Sequence, residues 1–433
     1  MNLHNFLSKK GQHLEENVDL SAGTLAWNTY AREKAKEMPG FINATIGSAT
    51  ENDGTLMVCP SMVKEFNKLS GDELFKYANV RGLTSFVEVW KEDTLETYPQ
   101  NLIQKADNLT TLPVTSCGGL TSGLMISSQL FFDKNDPLLV PNARWGNVDN
   151  VFFKNRQLKE VTYDLLDDDG DLYFAEMIDK LKELEKTEKK AGLYLNFPNN
   201  PSGISPTMNQ VKALQKAISE ISIPVVIFID DAYEGYVYEE DAINHSIFPY
   251  LIGLNENVLT VKIDGVSKRF CAYGARLGLV SLGFGEEVSD EKKVQTRELI
   301  AKAARTNTSS SPRGIQEVLT ILLNDEEKKE RIRTEKARNL GILKNRYLKI
   351  KELIKEKENG IFKPAKFNSG FFSFFTIENH QTANEVSQNL LERGLGTVPF
   401  YNESNDLNGI RLAFCSIADE DIERAIEILY SIS

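Results

Sequence analysis

The chain has 433 residues, 41% of them hydrophobic, and carries 50 Lys and Arg against 62 Asp and Glu, a formal charge of −12. At roughly 100 to 200 residues per domain this length suggests two or three domains with a cleft between lobes. The acidic balance, with basic clusters such as EKTEKK interleaved with Glu, makes nucleic acid an unexpected partner. Four scattered Cys without a CxxC and four His without ligand spacing exclude a disulfide scaffold and argue against a metal centre or a Ser/His/Asp hydrolase.

The opening MNLHNFLSKKGQHLEEN lacks an apolar core and no apolar run approaches ~18 residues, so neither a signal peptide nor a membrane span is expected, and a reducing, cytoplasmic location follows. From Leu112 to Leu282 short β-branched runs (LPVTS, LLV, KEVTYD, AGLYLN, IPVVIFID, NVLTVKI, GLVSL) alternate with helical patterns (SGLMISSQLFF, LYFAEMIDKLKELEKT, TMNQVKALQKAISEI). That alternation predicts an α/β domain whose mostly parallel sheet is covered on both faces. After Asn324 a long charged amphipathic stretch predicts a helix leading out of it. GFFSFFTI, a helix near Ala383 to Arg393, GTVPF, GIRLAFCSI and a last helix then predict a smaller α+β unit.

Ligands of open α/β sheets bind beyond the carboxyl ends of the strands, so the residues there are the candidates for chemistry. CGGLTSGL, Cys117 to Leu124, is a glycine-rich turn opening a helix, suited to a phosphate although such turns are common. No GxGxxG or GxxxxGK[ST] occurs. Trp145 in PNARWGN could stack on a ligand or simply cap the core, and Asn200 in FPNNPSG could reach a ligand oxygen from an otherwise rigid turn. Asp230 closes an apolar strand, where a carboxylate is costly unless it meets a cation or a protonated nitrogen; Tyr233 follows three residues on. Lys268 and Arg276 lie among turn residues, either as solvated loop cations or, for a partly buried Lys, as a Schiff-base nucleophile. Together these groups are what a pyridoxal phosphate site requires.

In that combination the chain resembles the class I aminotransferases of the aspartate/aromatic group, fold type I pyridoxal-phosphate enzymes. FINATIGSATENDG, KYANVRGL, PNARWGN, FPNNPSG, IDDAYEGY, SKRFCAYGARLG and GIRLAF occur in family order, from near Leu20 to the C-terminus. The resemblance implies an arm and part of the small domain over 1–55 and a large cofactor-binding domain with a seven-stranded sheet over 56–324. A small domain over 325–433 would complete it. It also implies a homodimer with shared sites, exchanging an amino group between an L-amino acid and a 2-oxo acid by a ping-pong mechanism. Lys268 would hold the cofactor as an aldimine and move the proton, and Asp230 would face the pyridine nitrogen. Tyr233 and Asn200 would bond the phenolic oxygen, and Trp145 would stack on the ring. Gly119, Leu120, Thr121, Ser267 and Arg276 would hold the phosphate, joined by Tyr77 from the partner. Arg411 would grip the substrate carboxylate, with Gly47, Asn200, Trp145 and Phe372 beside it. A lyase on the same fold is the alternative; a transcription regulator would need a DNA-binding domain for which the leading residues are too few.

The chain departs from the family pattern in four places. Gly265 stands where Ser is common, and Val148 stands where a His supports the aspartate. NNPSG replaces a TNPTG-like turn. Arg305 lies one residue past the position that pairs with a dicarboxylate side chain, a place read here as Ala304. A shift of one residue in a helix rotates a side chain by about 100°, so the substrate side chain need not be a carboxylate unless Arg305, Arg81 or Arg144 reaches it.

Overall fold

The computed structural model describes residues 3–20, 23–355, 357 and 360–432. Thirteen strands occur among them: β1 (Ile42–Asn43), β2 (Val114–Cys117), β3 (Pro137–Pro141), β4 (Lys159–Tyr163), β5 (Ala191–Asn196), β6 (Val225–Asp230), β7 (Val258–Gly265), β8 (Leu277–Phe284), β9 (Phe362–Pro364), β10 (Ser373–Ile377), β11 (Leu395–Gly396), β12 (Val398–Asn402) and β13 (Leu407–Leu412). Seven form one sheet in the order β2-β8-β7-β6-β5-β3-β4, the mostly parallel seven-stranded sheet that the sequence predicts. Only β8 runs antiparallel, to both β2 and β7. The reason is local: residues 266–276 between β7 and β8 are too short for the helical crossover a parallel return needs.

Every residue of β5 and β6 is buried, as expected of strands covered on both faces. Strand alternation divides them between two cores. Leu193, Ile227 and Ile229 pack on one side with Val211, Leu214 and Ile218 of the helix Met208–Ser219. Tyr194, Val226 and Phe228 pack on the other with Leu124 and Ile126 of the helix Leu120–Phe131. The helix Met208–Ser219 starts at a reciprocal capping box between Thr207 and Gln210, which fixes where the chain leaves the turn after β5.

The smaller sheet, β12-β13-β10-β9, is antiparallel throughout. Its core of Phe371, Phe375, Ile410, Leu412, Leu390 and Ile426 also takes in Ile42 and Ala44, because β1 pairs in parallel with β11, Ile42 opposite Leu395. The predicted long helix is Glu326–Lys355, 30 residues or about 45 Å. Its Ile332 packs in a core with Trp90 and Leu319, while Leu343, Tyr347 and Ile350 join the small-sheet core, so one rigid rod touches both. No helix among the described residues is long and apolar enough to cross a membrane.

Candidate active site

Register aligns the carboxyl ends of the central strands, Asn196 opposite Asp230 and Asp230 opposite Ile263. A cavity of about 270 Å³ opens beyond them, towards the small sheet. Asn200, Asp230 and Tyr233 enter it from the turns after β5 and β6; Ser267, Lys268 and Arg276 enter from the loop after β7. Leu120 and Thr121 come from the start of the helix after β2, and Trp145 from the loop after β3. Gly47, Phe372 and Arg411 close the opposite wall. The motifs separated by hundreds of residues in sequence thus meet in one place.

Lys268 lies in the short helical turn Val266–Arg269, its Nζ 5.6 Å from the ring centre of Tyr233 and 5.2 Å from that of Tyr273. Burial lowers its ammonium to about 8, with Arg276 adding to the effect and Asp230 opposing it. Burial raises the Asp230 carboxyl to about 6, against the hydrogen bonds that favour its charge. Those bonds come from Tyr194 Oη to Oδ2 at 2.8 Å and from the Ala232 N–H to Oδ1 at 3.1 Å. The Tyr233 phenol is held above the usual tyrosine range by burial. Its ring meets Phe371 and Phe372 edge to face.

Arg411, on β13, donates from Nη1 to Asn200 Oδ1 at 2.8 Å and from Nη2 to the Thr45 carbonyl at 2.7 Å. Its guanidinium lies 4.2 Å from the ring centre of Phe372, and its buried Nε has no partner among the described residues. Burial lowers this cation to about 10. Asn200 is itself fixed, its N–H donating to Asn196 Oδ1 at 2.9 Å. Gly47 is small of necessity, since a Cβ there would sit 2.8 Å from Phe372 Cζ.

Beneath the helix Leu120–Phe131, Arg276 Nη2 donates to the Gly118 carbonyl at 2.7 Å. Gly119 has φ 71°, a conformation that favours glycine, and a Cβ on it would crowd the same guanidinium at 3.2 Å. Arg276, Ser267, Thr121 and the first N–H groups of that helix form a cup of donors suited to an anion.

Not every candidate lies here. Tyr77 is 91% exposed and outside the cavity of its own chain. Arg81 pairs with Glu298, whereas Arg144 is buried against Asp149, Glu160 and the Pro141 carbonyl. Arg305 points outward from the helix Asp290–Asn307 onto Ser309 while Ala304 faces inward, 3% exposed, as the helical rotation anticipates. Tyr194, Thr45 and Tyr273, whose hydroxyl accepts from the Ala49 N–H at 2.9 Å, were not anticipated, nor were Thr24 and Leu25 at the cavity wall. Where a His was missed at position 148, a fully buried Val148 packs in the apolar cluster that holds Tyr194. Gly265 leaves no room for a Ser, because a Cβ there would lie 2.7 Å from the Leu277 carbonyl oxygen. Among the described residues no group of His, Cys, Asp and Glu gathers as a metal site requires.

A family model described as aminotransferase class I and II matches residues 41–429. Tyrosine aminotransferase of Dictyostelium discoideum is 24% identical over 174 residues, 40% of this chain and 39% of that protein. Aspartate aminotransferase of Bacillus subtilis is 29% identical over 162 residues, 37% of this chain and 39% of that protein. The aligned stretches thus span about two fifths of these relatives' length. Among solved structures, an aminotransferase from Anaerococcus prevotii superposes with a TM-score of 0.84 at 20% identity, covering 96% of this chain and 97% of the other. A kynurenine aminotransferase from Pyrococcus horikoshii gives 0.77 at 18% identity, covering 99% and 97%. At such identities the structural likeness speaks for the fold.

Proposed function

Because the chain belongs to the aminotransferase class I and II family, we propose that it is a pyridoxal-phosphate-dependent aminotransferase that passes an amino group from an L-amino acid to a 2-oxo acid. One observation carries this reading. Among the described residues, the cavity's buried carboxylate at one end, Asp230, is met at hydrogen-bond distance by neutral donors alone, and its buried guanidinium at the other, Arg411, bonds only neutral acceptors. Unpaired buried charges are costly. A cationic ring nitrogen and a substrate carboxylate would relieve them.

The other residues fit the same group. Lys268 would attach it, Tyr233 and Asn200 would bond its phenolic oxygen, and Trp145 would stack on the ring. Gly119, Leu120, Thr121, Ser267 and Arg276 would hold its phosphate. When bound, pyridoxal phosphate supplies an aldehyde that condenses with amines and a cationic ring that accepts the electron pair left at the substrate Cα.

The chain's own residues do the rest. Asp230 holds negative charge where the ring nitrogen carries its proton. Lys268, lowered to about 8 by burial, takes up and returns the Cα proton at Nζ near neutral pH. Arg411 orients the α-carboxylate as a planar fork, braced by Thr45 and Asn200 so that little freedom is lost on binding. Among the described residues the cavity's cations are Lys268, Arg276 and Arg411, each already assigned, so the substrate side chain is read by Ile46, Phe372, Thr24 and Leu25. A neutral side chain suits that wall.

We further propose a homodimer in which Tyr77 of each chain reaches the partner's phosphate cup, the divisions 1–55, 56–324 and 325–433, and a cytoplasmic location. Exposed Phe75 and Tyr77 support the interface. The lyase alternative finds no favour among relatives named aminotransferases.

The test is direct. After incubation with pyridoxal phosphate and borohydride, peptide mapping should find the reduced adduct on Lys268, and product analysis should find amino transfer from an L-amino acid to 2-oxoglutarate. Full turnover by Lys268→Ala would overturn the assignment.

A further inference from the structure

β5 contributes one polar group to the interior away from its end. Tyr194, opposite Phe228 in register, is 1% exposed, and its ring packs edge-on against Phe152 with centroids 6.0 Å apart. A buried phenol requires a partner. Here the partner is Asp230 Oδ2 at 2.8 Å, across the strand pair and two residues from where Asn196 faces Asp230. The Ala232 N–H takes the other oxygen at 3.1 Å, and Asn196 Nδ2 donates to the Asp230 carbonyl at 2.8 Å. The carboxylate is therefore held from both sides, while each oxygen keeps a lone-pair direction for the cavity.

We propose that Tyr194 is the positioning residue that keeps the Asp230 carboxylate ionised and turned towards the pyridine nitrogen of the cofactor, an inference that rests on the cavity being a pyridoxal phosphate site. Val148, fully buried in the apolar cluster that holds Tyr194, can offer no donor, and among the described residues the side-chain hydrogen bond to the aspartate comes from the hydroxyl on β5. The choice of a phenol has a chemical consequence. Burial holds its proton well above the ordinary tyrosine range, so it remains a donor at every pH at which the enzyme works. Burial of Asp230 opposes its charge, and without this bond the carboxyl would protonate at higher pH.

Tyr194→Phe retains the ring and its packing and removes only the donor. Wild type, Tyr194→Phe, Asp230→Asn and the double variant are each loaded with pyridoxal phosphate, and cofactor affinity is measured by equilibrium dialysis from about pH 5.5 to 8.5. Visible absorption of the bound cofactor is followed in parallel, and thermal melts check folding. Tyr194→Phe should weaken binding about tenfold, the order for one charge-assisted hydrogen bond. The pH below which affinity falls should rise by about one unit. In the Asp230→Asn background, where binding is already weak and no carboxyl titrates at that position, the same change should cost less than about twofold. Wild-type affinity and pH profile in Tyr194→Phe would overturn the proposal. An equal loss with and without the Asp230 carboxyl would also do so, because it would reveal a packing role alone. A wild-type protein that takes up no pyridoxal phosphate would instead bring down the reading of the site itself.

Discussion

Arg411 holds a charge in the interior without an anion, and replacing it by Met separates what it does for folding from what it does for substrate. Burial lowers the guanidinium from the ordinary arginine value to about 10, which corresponds to about 3 kcal/mol of native-state destabilisation at neutral pH. For a cation lowered in this way the unfolded chain binds the proton more tightly, so stability rises only as pH climbs above about 10 towards the ordinary arginine value, and the full penalty stands at pH 7. Arg411→Met removes that penalty. It also strips the hydrogen bonds to Thr45 and Asn200, at about 1 kcal/mol each, and the contact with the Phe372 ring, at about 1 kcal/mol. Gain and losses cancel to within about 1 kcal/mol, so the variant should melt close to wild type. Substrate recognition should not survive, because loss of a buried charge pair at about 3 to 5 kcal/mol predicts a fall in kcat/KM of two to three orders of magnitude or more. Thermal melts with and without a saturating 2-oxo acid read both effects: the ligand should raise the melting temperature of wild type and leave that of Arg411→Met unmoved. A variant less stable by more than about 3 kcal/mol, or one whose kcat/KM stays within tenfold, would refute this reasoning.

Cofactor loading should track the Lys268 amine, its rate rising with pH and levelling above about 8; a rate still climbing at about pH 10, followed by rapid-mixing absorbance, would show an ordinary lysine. Gly265→Ser should cost about 1 to 3 kcal/mol in urea unfolding, because its Cβ would lie 2.7 Å from the Leu277 oxygen and 2.9 Å from Leu120 Cδ1; unchanged stability would mean that β7 and β8 can part there. In steady-state kinetics leucine and phenylalanine should exceed aspartate in kcat/KM, with Arg305→Ala without effect; an aspartate preference abolished by Arg305→Ala would defeat the side-chain argument. Tyr77→Phe dimers should release cofactor faster than wild type, and hybrids with Lys268→Ala chains should regain one tight site; unaltered release would remove Tyr77 from the phosphate cup.

Much of this was legible because catalytic residues of an α/β sheet fall at strand ends, which buried apolar runs mark in sequence. Asp230 could be singled out because it closes the apolar run IPVVIFI, and Lys268 because it stands among the turn residues DGVSKRFCAYG beyond the next strand. Tyr194 could not, since in AGLYLN it is one more large residue of a buried strand, and only the register between β5 and β6 brings its hydroxyl to a carboxylate. The antiparallel β8 was readable in principle from the short connection 266–276. Thr24 and Leu25 carried no signal, Leu25 being 72% exposed at the cavity wall and visible only once the helix Gly23–Glu37 is seated.

Asp230 and Asp231 are neighbours in the chain and strangers in their chemistry. The first, with Tyr194, belongs to the cavity; the second sits against Lys262 and Ser246, in a buried ionic group that also includes Glu234. The backbone sends the two carboxylates to opposite sides at the end of β6. The strand thus keeps two anions with separate partners on its two sides. The contacts of one can therefore change without breaking the hydrogen bonds and ion pairs of the other. The same arrangement makes the segment intolerant of length changes, since deletion of one residue within β6 would exchange the two acids and bring a structural anion into the reaction chamber.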